Sequence, residues 1–368
     1  MTANKSVPRR AIITGLVPII VLAAAFTITQ ASCKRGTTVS VAPAEVETPV
    51  PATALLPYES ETPSTLLPVI PPDKLFTPKT VVWEDEEGSK FIVTQISAIA
   101  YGDGKYVAGS DDGAIAYSED GITWTALPRT ALPQDFRNYY RGVGNIEGIA
   151  YGNGKFVAGD TFGMMMTSTD GVTWTFVQTP FIGSFGSIAY GNGKFVAVGY
   201  TEIYERGAIM YSTDDLKFKD VPLVSGEFGK YSIRAVAYGN GKFVAGNIYG
   251  NMAYSADGIT WTEVTDNSAW IVNNGREPPY NTANLNSIAY GNNMFVATGN
   301  HIKLVTSADG VTWTAVETGI FDMEEDYVIK PAAYYNNMFL IGGYGAKRMA
   351  YSKDGVTWTQ VPQGAGKN

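Results

Sequence analysis

Apolar positions fall in short strips along most of this chain, and tight polar pairs separate them in place of helical spacing. Ile188-Ala189-Tyr190 and Phe195-Val196-Ala197-Val198 flank Asn192-Gly193, a pair that tolerates the positive φ angles of a two-residue hairpin turn. The arrangement recurs at Asp103-Gly104, Asn153-Gly154 and Asn240-Gly241, with Asn292-Asn293 and Asn336-Asn337 as variants. A third strip such as Ala208–Tyr211 follows, and then a fourth such as Thr260–Glu263 after an Asp-Gly turn. Helix signals are nearly absent, so the pattern predicts runs of short antiparallel strands.

The Asp-Gly turn sits in a longer recurring segment. Ser255-Ala256-Asp257-Gly258-Ile259-Thr260-Trp261 returns at Ser118–Trp124, Ser168–Trp174, Ser307–Trp313 and Ser352–Trp358, and in worn form at Ser212–Phe218, making six copies. Their aromatic anchors are 43 to 52 residues apart, so one unit of roughly 45 residues is reused. Four short strands per unit and six units predict an all-β fold: a six-bladed β-propeller of four-stranded antiparallel blades. The first strip of every unit carries an alanine (Ala100, Ala150, Ala189, Ala237, Ala289 and Ala333). A small side chain there lets six inner strands converge on the propeller axis. Val81-Val82-Trp83 precedes the first unit and reads as an extra strand, an outer pad for the blade that closes the ring.

The chain before the repeats is of a different kind. Residues 1–33 have a positive start (Lys5, Arg9, Arg10) and an apolar run over Ala11–Thr29, and they end in small residues before Cys33, as an export signal does. Gln30-Ala31-Ser32-Cys33 resembles a bacterial lipoprotein lipobox, with Gln30 where an apolar residue is usual. That resemblance implies lipidation at Cys33; an ordinary cleaved signal peptide and an uncleaved membrane anchor are the alternatives, since the run is just long enough to span a bilayer. All three place the remainder outside the cytoplasm, in a bacterial cell envelope. Residues 34–79 carry nine prolines and no hydrophobic period, which predicts an extended tether of up to ~140 Å at ~3.1 Å per residue. The repeats occupy 80–368.

Composition narrows the chemistry. The 368 residues, 45% of them hydrophobic, can bury a large core, and 40 Gly and 22 Tyr suit many strands and turns. The formal charge of −8 would repel phosphate backbones, so no nucleic-acid partner is expected. Cys33 is the single cysteine and His301 the single histidine, which excludes internal disulfides and Cys- or His-rich metal sites. No cofactor or metal is expected, and His301 reads as a surface or turn residue.

Ser-x-Asp-Gly-x-Thr-Trp resembles a compact form of the Asp box of the sialidase (BNR) superfamily, whose usual pattern has one more residue between Asp and Gly. The resemblance covers about Ile99–Val361. It implies the propeller fold strongly and activity weakly, because Asp boxes also occur in propellers that catalyse nothing. Physically, each aspartate (Asp120, Asp170, Asp214, Asp257, Asp309, Asp354) is expected to accept N–H bonds within its own turn, with Gly258 and its equivalents in the left-handed region. The Trp anchors should pack between blades.

Strand parity then separates two faces. The Asn-Gly and Asp-Gly turns share one; the longer, irregular connections share the other, where variable loops on a rigid scaffold carry function. Those loops hold Arg137, Tyr139, Tyr140, Arg141, Tyr204, Arg206, Trp270, Arg276, Tyr280, Tyr327, Tyr344 and Arg348, and Arg234 lies near a strand start. Tyr, Trp and Arg dominate binding energy at interfaces and also stack on sugars and pair with carboxylates.

A sialidase would need three arginines on the substrate carboxylate, a Tyr–Glu pair and an acidic Asp, and usually a Phe/Tyr-Arg-Ile-Pro motif. Ser89-Lys90-Phe91-Ile92-Val93 stands where that motif would fall, and only Arg234, Arg276 and Arg348 could form the triad. Other glycosidase chemistry needs two facing carboxylates, for which Glu202, Glu205, Glu227 and the acidic residues of 322–326 are available. The expectation is a monomeric, membrane-anchored, non-catalytic module that binds a glycan, peptide or protein partner. A glycoside hydrolase is one alternative. An envelope assembly or scaffold factor, resembling the Asp-box propellers that help build photosystems, is another.

Overall fold

A computed structural model describes residues 81–84, 90–93 and 96–361, apart from 122, 135–143, 181–182, 214–215, 223–225, 267–283, 301–303, 321–328, 336 and 344–348. It contains six four-stranded antiparallel sheets, each built from consecutive strands of one repeat. Blade 1 runs Ile96–Gly102, Lys105–Ser110, Ile115–Ser118, Thr125–Ala126; blade 2 runs Ile146–Gly152, Lys155–Asp160, Met165–Ser168, Thr175–Val177. Blade 3 is Gly183–Gly191, Lys194–Thr201, Arg206–Ser212, Lys219–Asp220, and blade 4 is Ile233–Gly239, Lys242–Asn247, Met252–Ser255, Thr262–Glu263. Blade 5 is Asn284–Gly291, Met294–Asn300, Leu304–Ser307, Thr314–Val316, and blade 6 is Ile329–Tyr335, Met338–Gly343, Met349–Ser352, Thr359–Gln360. The predicted propeller is the observed one. Among the described residues helix is limited to a single turn at Glu227–Lys230, a 3-10 turn at Arg129–Ala131 and Gln134.

The core lies between blades. Six apolar clusters each join two neighbours: Ile146, Phe156 and Trp174 of blade 2 pack with Val107 and Ile115 of blade 1, and Phe243 and Trp261 of blade 4 with Val196 and Ile209 of blade 3. The recurrent alanines of the inner strands are all buried. One further device sets the spacing of the inner strands. A Cβ added to Gly191 would fall inside the Tyr238 ring of the next blade, and Gly239 meets Tyr290 the same way.

The ring closes without strand exchange. At the seam, Tyr106 stands where the other blades have Phe156, Phe195, Phe243, Phe295 and Phe339, and Tyr335 stands where the others have the inner-strand glycine. The Tyr106 hydroxyl donates to the Tyr335 hydroxyl at 2.6 Å, the rings meet edge to face at 5.9 Å, and Ala333 completes the cluster with Ile96, Ile99 and Trp124. Val81–Glu84 does not extend the closing blade. It pairs with Lys90–Val93 as a separate two-stranded hairpin whose first strand lies near the outer strand of blade 1. A strand whose partner begins six residues after it ends gains a local pairing at lower loop-closure cost than one that must reach blade 6.

Candidate functional site on the face opposite the Asp boxes

The Asp-box turns are internally saturated. In blade 4 the Asp257 Oδ1 accepts from Ser255 Oγ at 2.9 Å, Ile259 N at 2.8 Å and Thr260 N at 2.7 Å, while Oδ2 accepts from Thr260 Oγ1 at 3.2 Å. Ser255 Oγ in turn accepts from Gly258 N at 2.8 Å, and Trp261 Nε1 donates to Gly258 O at 3.3 Å. Asp170, Asp309 and Asp354 repeat the pattern, and Asp120 accepts from Thr123 N at 2.6 Å; Asp214 lies outside the described residues. Burial raises the carboxyl pKa at Asp170, Asp257 and Asp309, but the two N–H bonds and two hydroxyl bonds together outweigh it and lower each to about 2. At Asp354 the Thr357 N–H bond is the largest influence and the result is again about 2. Carboxylates held this far down cannot act as general acids near neutrality.

Hydrogen bonds between blades show that the two families of tight turns share a face. Asn192 Nδ2 donates to Ala256 O at 3.3 Å, Asn240 Nδ2 to Ala308 O at 3.1 Å and Asn292 Nδ2 to Lys353 O at 3.0 Å, each linking an Asn turn to the next blade's Asp box. Asn192 and Gly193 adopt φ of 46° and 71°, as a primed turn requires.

The opposite face is assembled by a second recurring turn that the sequence reading passed over. Ser110, Asp160 and Asn247 end the second strands of blades 1, 2 and 4, each three residues before a glycine with φ near 78° (Gly113, Gly163, Gly250). Asp160 is fully buried; its Oδ1 accepts from Phe162 N at 2.8 Å and Met164 N at 2.9 Å, and its Oδ2 from Gly144 N at 3.2 Å. Burial pushes this carboxyl up, against the opposing pull of the three N–H donors. Asn247 makes the matching bonds from Tyr249 N at 2.9 Å and Asn251 N at 3.0 Å. Its Nδ2 instead donates to Glu227 O at 3.1 Å and Phe228 O at 3.0 Å. Thus an oxygen faces a loop that offers N–H, and an amide nitrogen faces a loop that offers carbonyls. The sequence signal was available as a polar residue followed three positions later by Gly.

Blade 3 rises above this face. Its second and third strands, Lys194–Thr201 and Arg206–Ser212, pair out to Thr201 with Arg206, and Glu205 turns the chain at φ 48°. At the tip, Ile203 and Tyr204 are 57% and 65% exposed, two of the three large hydrophobic side chains so exposed among the described residues. The Arg206 guanidinium lies over the Tyr204 ring, 5.2 Å from its centroid, within cation–π range. Beneath them is an open cleft of about 110 Å³ bounded by Pro180, Tyr204, Arg206, Asp220, Pro222 and Ile233. Partial burial raises the Asp220 carboxyl pKa, against the pull of Arg206.

Of the residues expected on this face, the structure brings Tyr204 and Arg206 together at the hairpin and sets Arg234, exposed, beside Ile233 at the start of blade 4's inner strand. Arg137, Tyr139, Tyr140, Arg141, Trp270, Arg276, Tyr280, Tyr327, Tyr344 and Arg348 lie outside the described residues, as do Cys33 and His301. Glu202 and Glu205 sit in the hairpin turn, and Glu227 pairs with Lys230 at 3.5 Å. Among the described residues no group of His, Cys, Asp or Glu is placed to hold a metal ion.

Comparison with protein-family models and with curated proteins returns no match. Solved propellers do match. YCF48 from Cyanidioschyzon merolae is 15% identical, with a TM-score of 0.50 over 74% of this chain and 87% of that one. A catalytically inactive virginiamycin B lyase from Staphylococcus aureus, solved with quinupristin, is 13% identical, with a TM-score of 0.50 over 72% and 83%. A structure of YCF48 bound to D1 peptide, 16% identical, follows at 0.49 over 73% and 82%. At such identities the likeness shows the fold alone, and the sialidase resemblance gains no support from it.

Proposed function

We propose that this chain is a non-catalytic binding module that holds a peptide or protein partner on the face opposite the Asp boxes. The observation that carries this reading is the blade 3 hairpin, where Ile203 and Tyr204 stand exposed side by side above a cleft containing Arg206 and Asp220. An exposed aliphatic residue costs solvation and offers nothing to a sugar's hydroxyls, whereas beside Tyr and a charged pair it suits a peptide's apolar side chain and flanking polar groups. We place the module outside the cytoplasm, held by a lipid on Cys33 or by the apolar segment before it, on the proline-rich tether. An assembly or scaffold role in the envelope is one form of the same activity.

Screening a displayed random-peptide library against the chain should enrich sequences whose binding drops at least about tenfold in Ile203→Asp or Tyr204→Ala, while sialosides and glycosides are not turned over. Enrichment indifferent to both substitutions would place the surface elsewhere. Mass spectrometry of the mature amino terminus tests the anchor: a diacylglyceryl adduct on Cys33 is expected, and an unmodified Cys33 rules out lipidation.

A further inference from the structure

Three hairpin turns on the Asp-box face are copies of one another in sequence. Ala-Tyr-Gly-Asn-Gly-Lys-Phe-Val-Ala occurs unchanged at 150–158, 189–197 and 237–245, and its Asn-Gly pair adopts the same backbone each time. The φ angles are 45° and 72° at Asn153 and Gly154, 46° and 71° at Asn192 and Gly193, and 45° and 73° at Asn240 and Gly241. All six residues are exposed, and a Cβ added to any of the three glycines would meet no atom within 4 Å. What differs is the hold on the asparagine side chain. Asn192 Nδ2 donates to Ala256 O at 3.3 Å and Asn240 Nδ2 to Ala308 O at 3.1 Å, whereas the Asn153 carboxamide has no partner among the described residues.

The cause lies in the next blade. Ala256 and Ala308 are the second residues of intact Asp boxes, whose leading serine directs its hydroxyl to the aspartate: Ser255 Oγ to Asp257 Oδ1 and Ser307 Oγ to Asp309 Oδ1, both at 2.9 Å. Blade 3, which follows the Asn153 turn, carries the worn copy, with Asp215 where blade 4 has Gly258. The equivalent carbonyl there is Thr213 O, and it already accepts from Ser212 Oγ at 2.8 Å and from Leu216 N at 3.1 Å. A carbonyl oxygen has two lone pairs, so none is left for the Asn153 amide.

We propose that Asn153 is a site of covalent modification, a spontaneous deamidation that converts it several-fold faster than Asn192 and Asn240. Gly154 N loses its proton to solvent base and attacks Asn153 Cγ, unobstructed because residue 154 has no side chain. The new N–Cγ bond closes a succinimide, the Cγ–Nδ2 bond breaks, and Nδ2 takes up a proton and leaves as ammonia. Water then opens the ring at either carbonyl, giving aspartate or isoaspartate, so one water is consumed, one ammonia is released and nothing is oxidised. The attack needs Cγ to swing onto the glycine nitrogen, a rotation that breaks the bond to the next blade at Asn192 and Asn240 and breaks none at Asn153. Aspartate adds a negative charge to the turn. Isoaspartate also routes the backbone through the side-chain carbon, lengthening a turn that sets the register of Ile146–Gly152 against Lys155–Asp160. The site is on the face opposite the hairpin cleft and does not depend on the peptide-binding reading.

The test is peptide mapping by mass spectrometry on the full chain aged in warm, mildly alkaline buffer, beside a sample unfolded in urea. In the folded chain residue 153 should convert about threefold to tenfold faster than 192 and 240, the factor by which one hydrogen bond that must first break slows the other two. In urea the three should convert at one rate, since their neighbours on both sides are the same. The proposal falls if the three convert alike in the folded chain or if 192 or 240 leads. It also falls if 153 leads by the same factor in urea, which would place the cause outside the folded structure.

Discussion

The aspartates that catch the eye in this sequence are occupied by their own turns, and their physical role can be measured. Asp257→Ala removes the acceptor for two backbone N–H groups and two hydroxyls, and should lower stability by about 1–3 kcal/mol with no effect on ligand binding. A thermal melt checks the first part and a binding isotherm the second. Because the folded carboxyls at Asp170, Asp257, Asp309 and Asp354 lie at about 2, below the ordinary value near 3.9, their stabilisation is complete above that ordinary value. It is lost as pH falls through about 2, so the melting temperature should drop between about pH 4 and pH 2, less steeply in Asp257→Ala. These residues were legible because every partner lies within three positions. Asp160 was not, because its third donor, Gly144, is sixteen residues upstream in an irregular connection. Asp160→Asn is the sharper experiment: either way round, the amide sets its NH2 against a backbone N–H. A loss of about 1–3 kcal/mol is expected from this near-isosteric change, whereas the asparagine already at position 247 faces carbonyls and is at home.

At the scale of elements, five interfaces follow one rule and the sixth replaces it. Glycine against tyrosine repeats from blade 1 to blade 6, and at the seam the glycine becomes Tyr335 while the buried phenylalanine becomes Tyr106. Both departures are visible in the aligned repeats, but their pairing is not, since they are 229 residues apart and meet only once the ring exists. Burial, reinforced by the bond to Tyr335, raises the Tyr106 hydroxyl pKa far above its ordinary value, so it stays a neutral donor at any working pH. Tyr106→Phe leaves the Tyr335 oxygen without this partner and should cost about 1 kcal/mol in denaturant unfolding. Tyr106→Phe with Tyr335→Phe should cost less than the sum of the two single changes; strict additivity would show that the hydroxyl bond does not couple the blades.

For the whole molecule, the blade count and the division into a repetitive and a variable face could be derived from the chain because both rest on period and parity. The closure could not, since a lone apolar strip such as Val81-Val82-Trp83 carries no period to say which strand it joins. It pairs with Lys90–Val93, outside every blade. In a propeller closed by a strand from the amino terminus, losing that strand would expose the edge of the last blade and the apolar surface behind it. Here all six blades carry four strands of their own, and what joins last to first is side-chain packing by Tyr106, Tyr335, Ala333 and their neighbours. A chain beginning at position 95 should therefore unfold in one cooperative transition at the same temperature as one beginning at position 79. Calorimetry of the two decides the matter: a large drop in the shorter chain, or a second early transition, would mean that residues 81–93 help hold the ring shut.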